Sequence, residues 1–154
     1  MRLLVIAVGR PRDEGLAAAI RDYETRAARY WPLEVHEVRE EPARGGTSTE
    51  VVMRREGERI LERATAARVV ACEAGGTALT SERFAEWLRR LREEARDVAF
   101  VIGGAFGLSG EVRQRAERTL SLAPWTLPHE LARLVLAEQL YRAGTIGRGE
   151  PYHK

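Results

Sequence analysis

Two uninterrupted apolar stretches, Leu3–Val8 and Val98–Ile102, do most to decide what this chain can fold into. Neither alternates with polar residues, so neither suits a strand with one wet face. Each reads as a strand buried on both faces, the pattern of a parallel sheet covered by helices. Each run stops at a glycine, Gly9 and Gly103.

The stretches between them carry helical periodicity. Apolar Leu16, Ala19, Ile20, Tyr23 and Ala27 predict a helix from Asp13 to Tyr30, halted by Trp31-Pro32. Leu33 to Val38 alternates as an exposed strand does, and Arg39 to Ser48 reads as a loop. Thr47 and Glu50 have capping-box spacing for a helix through Arg63. A strand from Arg68 to Cys72 is closed by Gly75-Gly76, and Thr80 or Ser81 caps a helix to Arg92. After the second apolar run, Ser109 caps a short helix to Arg118, and Thr119 to Leu122 is a fifth strand. Ala123 to Pro128 is a proline-containing loop, His129 to Ala143 a closing helix, and Gly144 to Lys154 a glycine-punctuated tail. Alternating strands and helices give an α/β fold with a mainly parallel sheet. Without an internal repeat or linker, residues 1–154 read as a single domain.

Composition excludes several classes. Cys72 has no partner for a disulfide, and no apolar stretch approaches the ~20 residues that span a bilayer. The apolar start runs into Gly9-Arg10 without a cleavage site, so it is not expected to be a signal peptide, and a cytoplasmic protein is expected. The 25 Lys and Arg residues include one lysine, Lys154, and Asn is absent. Arginine suits phosphate and base recognition, but a net charge of +2 allows a nucleic acid without demanding one.

In open α/β sheets, ligands bind beyond the carboxyl ends of strands. Three such ends are candidates: Cys72 to Gly76, Gly103 to Gly107, and Leu122 to Pro128. The pair Gly75-Gly76 reads better as a turn. Gly103 to Gly107 reads equally as a tight turn or as a cradle for a nucleotide-like cofactor. Its spacing is not G-x-G-x-x-G, and no Gly-Lys-Ser/Thr exists, so a dinucleotide fingerprint and a P-loop are both excluded. His36, His129 and His153 lack metal-ligand spacing, no metal is expected, and Cys72 reads as a buried hydrophobe. No G-x-S-x-G elbow occurs. On the closing helix, Leu131, Leu134, Val135, Glu138 and Tyr141 share one side, and Arg133 and Arg142 are expected to be solvated on another. The terminal Pro-Tyr-His-Lys offers an aromatic ring, an imidazole and a cation in succession.

Several separated blocks carry a family resemblance: Leu3 to Arg10, Phe100 to Ser109, Leu120-Ser-Leu, Thr126 to His129, Leu136 to Arg142, and Pro151-Tyr-His153. Through them the chain resembles, over its whole length, the small SPOUT-class RNA methyltransferases of the RlmH type. The resemblance implies a SPOUT-type α/β knot, with the C-terminal part threaded as a trefoil knot. It implies S-adenosylmethionine bound at Cys72, Gly103, Gly104, Ala123, Pro124, Trp125, Thr126, Leu127 and Pro128. It implies a homodimer whose two subunits shape each site, and N3-methylation of a pseudouridine in 23S rRNA on the assembled ribosome. Where relatives often carry Trp-Ser after the Tyr-Arg pair, this chain has Gly144-Thr145, and it ends in Lys154 where Arg is common. Both departures are expected in an RNA-facing tail.

Methylation of an imide nitrogen requires loss of its proton, a task suited to histidine. His153 is the preferred candidate base and His129 the second. Arg142 or Lys154 is expected to stabilise the imide anion or hold a phosphate, and Tyr152 to stack on the base. Arg10, Arg12, Arg142, Arg148 and Lys154 form the expected basic rim. The alternatives are a non-catalytic ribosome- or RNA-associated protein of the same fold, and a domain binding another adenosine-containing ligand.

Overall fold

The computed structural model describes residues 1–153, and Lys154, together with its expected role, lies outside them. Five strands, β1 (Leu3–Val8), β2 (Leu33–Val38), β3 (Arg68–Ala78), β4 (Val98–Ile102) and β5 (Arg118–Ser121), form one parallel sheet in the order β2-β1-β4-β3-β5. Its helices are α1 (Glu14–Ala27), α2 (Thr49–Ala64), α3 (Ser81–Glu93), α4 (Gly110–Arg115) and α5 (His129–Gly147), followed by a 3₁₀ turn, Pro151–His153.

The two apolar runs occupy neighbouring central strands, with Leu3 opposite Val98 and Ala7 opposite Ile102. Their side chains alternate between two cores, as strand geometry requires. Leu3, Val5, Phe100 and Ile102 pack with Ala27, Leu88 and Leu140 under α1, α3 and α5. Leu4, Ile6, Ala99 and Val101 pack with Ile60 and Val112 under α2 and α4. Both faces are thus covered, and runs without polar alternation are what such a sheet needs.

Several local expectations are corrected. Ser48, not Thr47, caps α2, its side chain accepting from Val51 N–H at 3.3 Å. Strand β3 does not end at the glycine pair: its pairing with β5 shifts register between Cys72 and Thr77 and then resumes. Gly76 makes this possible, because a Cβ there would lie 2.7 Å from the backbone of Thr119 and Leu120. The short helix α4 stops at Arg115, and α5 continues to Gly147 instead of ending at Ala143.

The departure at Gly144-Thr145 is a packing feature and not part of an exposed tail. Both residues are buried in α5, and a Cβ on Gly144 would overlap the Tyr30 ring, with Cδ2 at 2.8 Å. Tyr30 fills that space, donates its hydroxyl to Glu150, and lies under the Arg148 guanidinium at 4.6 Å.

Candidate active site

Helix α3 leaves β3 onto one face of the sheet, and α4 leaves β4 onto the other. Neighbouring strands whose helices diverge open a crevice between their carboxyl ends. Here the crevice is a hollow of about 660 Å³, walled by the ends of β3 and β4 and by the loop after β5. Of the nine expected cofactor residues, Cys72, Gly103, Gly104, Ala123, Trp125, Thr126, Leu127 and Pro128 line it. Pro124 is exposed and does not.

The β4 wall is a tight turn in which Gly107 N–H donates to Gly104 O at 3.1 Å. Gly107 has φ +86°, and a Cβ on Gly103 would lie 2.6 Å from the carbonyl carbon of Gly107. Larger residues at either place would open the turn. On the β3 wall, burial, with the Glu73 carboxylate as a lesser cause, pushes the Cys72 thiol up to about 12. The sulfur is a neutral, apolar part of the wall and no nucleophile. The third wall starts where Ser121 Oγ donates to Ala123 O at 2.7 Å. From Ala123 to Pro128 the chain lies outside helices and strands, so its peptide groups can serve a ligand.

One charged lining residue was not expected. Arg113 donates through Nε to both oxygens of Glu73, at 2.8 and 3.1 Å, closing one side of the hollow with an ion pair. Phe106 and Trp125 are the exposed large hydrophobic residues among those described, and both stand at this hollow. The position of Arg113 in the helix directly after a glycine-rich turn is the signal that could have pointed to it.

His129 also lines the hollow, as the first residue of α5. Pro128 precedes it and supplies no side-chain cap, which leaves the positive end of the α5 dipole at this wall. Arg142 and Tyr152 stand elsewhere. Arg142 donates to Glu138 Oε1 through Nε (3.0 Å) and Nη2 (2.6 Å), with its guanidinium 4.9 Å from the Tyr152 ring. Tyr152 donates to the same oxygen at 3.2 Å and its ring lies 4.6 Å from that of Tyr141, tilted by 59°. Burial is the first cause raising the Tyr152 hydroxyl above its ordinary range, so the phenol is neutral. The Glu138 hydrogen bond raises Arg142, which stays cationic. The backbone of His153 belongs to the 3₁₀ turn after Tyr152, and its side chain lies outside the description. Thirteen residues of helix separate His129 from Arg142, about 20 Å at 1.5 Å per residue. One copy of the chain therefore holds the expected site in two parts.

The remaining described cations of the expected rim all have partners. Arg10 lies 3.4 Å from Glu37 and Arg12 lies 2.7 Å from Glu40, and both stay largely exposed. Arg148 Nη2 donates to Arg29 O at 3.2 Å. Arg133 is not solvated: it is 5% exposed and bound to Glu24 and Glu37. Among the described residues, no helix is long and apolar enough to cross a membrane, and no group of His, Cys, Asp or Glu could hold a metal.

Comparison with known proteins places this geometry. The ribosomal RNA large subunit methyltransferase H of Gemmatimonas aurantiaca is 64% identical over 155 positions, covering 100% of both chains. Its counterpart in Anaeromyxobacter sp. (strain Fw109-5) is 51% identical, again over 100% of both. The solved structure of a probable methylase family protein from Haemophilus influenzae Rd KW20 shares the fold at a TM-score of 0.59 and 14% identity, covering 99% of this chain and 70% of that one. The family described as predicted SPOUT methyltransferase matches residues 1–153. The chain belongs to the SPOUT methyltransferase family.

Proposed function

We propose that this chain is a ribosomal RNA methyltransferase that transfers the methyl group of S-adenosylmethionine to N3 of a pseudouridine in 23S rRNA, on the assembled ribosome. The observation that carries the reading is the hollow at the carboxyl ends of β3, β4 and β5, in a chain 64% identical end to end to a ribosomal RNA large subunit methyltransferase H.

The hollow suits that cofactor. Ile102, Leu108, Leu122 and Leu127 offer apolar surface to a flat heterocycle, and the loop backbones offer peptide donors and acceptors. The neutral Cys72 thiol presents no competing nucleophile. When bound, the cofactor supplies an electrophilic methyl group, so the chain's work is to align the acceptor nitrogen and to manage one proton. Cys72, Gly103, Gly104 and the Ala123 to Pro128 loop hold the cofactor in this reading. His153 takes the N3 proton, with His129 at the hollow as the other candidate. Arg142 steadies the resulting anion, and Tyr152 stacks on the base.

The working unit in this reading is a homodimer of single-domain chains, each with its C-terminal segment threaded as a trefoil knot. Two observations support it. The roughly 20 Å between His129 and Arg142 separates the two halves of the expected site within one copy, which is the arrangement a site completed by a second copy needs. Helix α5 also carries apolar residues on opposite sides: Leu136, Ala137 and Leu140 are buried, while Leu131, Leu134 and Val135 on the other side are half-buried and belong to neither core.

Incubating the protein with methyl-labelled S-adenosylmethionine and ribosomes that lack the modification, beside free RNA, tests the function. Label at one pseudouridine of 23S rRNA in the ribosome arm is expected. Absence of label from RNA in both arms, or absence of S-adenosylmethionine binding by calorimetry, overturns it.

A further inference from the structure

Glu56 is the one carboxylic acid among the buried polar residues described, 4% exposed, and the catalytic reading above gives it no task. It projects from α2 toward the underside of the glycine-rich turn. Its Oε1 accepts the backbone N–H of Glu41 at 3.0 Å, on the loop that joins β2 to α2. That loop is itself tied down, because the Glu41 carboxylate is held by Arg55 and Arg59 of α2. The other oxygen, Oε2, is buried and has no hydrogen-bond partner.

What Oε2 does have is a steric neighbour. A Cβ built on Gly104 would lie 2.9 Å from Oε2 and 3.3 Å from Oε1, with Val8 Cγ1 at 3.1 Å. The carboxyl group thus occupies the space directly beneath Gly104. The next residue of α2 makes a second fit. A Cβ on Gly57 would overlap Ser109 Oγ and lie 3.1 Å from Ser109 Cβ, and Ser109 is the residue that caps α4. Two consecutive residues of α2 therefore seat both ends of the 104–109 segment, one by filling space and one by leaving it.

We propose that Glu56 is a positioning residue for the cofactor turn, anchored by one carboxyl oxygen on the β2–α2 loop and wedged by the other under Gly104. The inference rests on the reading of the hollow as the S-adenosylmethionine site. Burial pushes the Glu56 carboxyl above the ordinary carboxylate range and Glu40 and Glu41 add to the rise, against the Glu41 N–H and Arg59.

Four variants decide it: Glu56→Ala, Glu56→Gln, Gly104→Ala and the double Glu56→Ala/Gly104→Ala. For each, calorimetry with S-adenosylmethionine alone gives affinity, and amide exchange without ligand gives the mobility of residues 103–108. Glu56→Ala is expected to weaken binding about tenfold and to speed exchange in the turn, leaving α1 and α5 unchanged. Glu56→Gln, which keeps the Oε1 acceptor and the side-chain volume beneath Gly104, is expected to stay within about threefold of the parent. Gly104→Ala is expected to weaken binding, and the double variant to regain part of that loss, because the methyl group then meets less. Unchanged affinity and exchange in Glu56→Ala overturn the proposal. Should that variant fail to fold, Glu56→Asp, which withdraws the carboxyl group from beneath Gly104 by one methylene, takes over alone and with Gly104→Ala, and simple additivity of their effects on exchange overturns it. If the parent chain binds no S-adenosylmethionine, the functional reading fails, and the exchange arms still decide the role of Glu56.

Discussion

Arg133 of α5 donates through Nε to Oε1 of Glu24 in α1 at 2.8 Å, inside the protein, where the arginine side chain is 6% exposed and the glutamate 12%. The same guanidinium reaches Glu37 at the end of β2, also at 2.8 Å. One buried cation thus ties the closing helix to the first helix and to an edge strand. Removing one member of such a group leaves buried charge without a counter-ion, which costs more than the intact group contributes. Arg133→Ala is expected to lower the unfolding free energy by about 3 kcal/mol, the low end of the range, since Glu37 keeps Arg10 nearby. Urea unfolding measures this, and a loss below about 1 kcal/mol would show the charges to be effectively solvated.

Gly144 offers a test with an inverted sign. Glycine to alanine inside a helix ordinarily stabilises by about 1 kcal/mol. Here the new methyl group meets the Tyr30 ring. Gly144→Ala is therefore expected to destabilise by about 1–3 kcal/mol, and a Tyr30→Leu background, which keeps the Cβ and Cγ nearest the new methyl group, should retain most of that penalty. A stabilised Gly144→Ala protein in thermal unfolding would refute the fit.

These two positions also mark where the sequence is legible and where it is not. β1 and β4 are readable because their burial on both faces is written locally, in apolar runs. The glycine walls are readable for the same reason, since a tight turn needs its glycines next to each other. Arg133 is unreadable because its partners Glu24 and Glu37 lie 109 and 96 residues away in the chain. Strand β3 is misread because Gly75-Gly76 looks like a stop, whereas what continues the strand is the approach of Thr119 and Leu120 from β5. The positions of Arg142 and Tyr152 relative to the hollow depend on the length of α5, and periodicity places its end four residues too early.

The Cys72 thiol is expected to resist alkylation. With its ionisation pushed up to about 12, the thiolate fraction at pH 8 is ~10⁻⁴, against roughly a quarter for an ordinary thiol. Iodoacetamide at pH 8 should modify the folded protein at least about 100-fold more slowly than the urea-unfolded chain. Equal rates would mean that the sulfur is exposed and ionisable, and would remove it from the apolar wall.

Stability should fall on acidification and not on mild alkalisation. The backbone N–H of Arg2, and then its guanidinium, hold the Asp97 carboxyl below its usual range. Arg59 and Arg55 do the same for Glu41. A carboxyl depressed in the folded state contributes stability above its unfolded value, and that stability is lost as pH falls through the folded value. The urea midpoint should be nearly flat from about pH 7 to 5 and decline below about pH 4. Asp97→Asn should lower the neutral-pH midpoint and flatten the decline. An unchanged acid slope in that variant would assign the sensitivity to other groups.

The separation of His129 from Arg142 and Tyr152 along α5 makes a prediction about two copies. If each working site takes its hollow from one chain and its tail from another, a chain damaged at the hollow should complement a chain damaged at the tail. Gly103→Ala supplies the first, because the methyl group meets the Gly107 backbone, and Tyr152→Ala supplies the second. Each pure variant should be nearly inactive on ribosomes. In a re-equilibrated equal mixture, half the dimers carry both lesions, and each of those has one intact site out of two. Activity should therefore return to about a quarter of the parent's. Leu134→Glu, on the half-buried side of α5, should shift the protein to monomer in sedimentation and abolish complementation together with activity. A mixture no more active than its parts, from a protein that sediments as a monomer, would mean that each copy completes its own site.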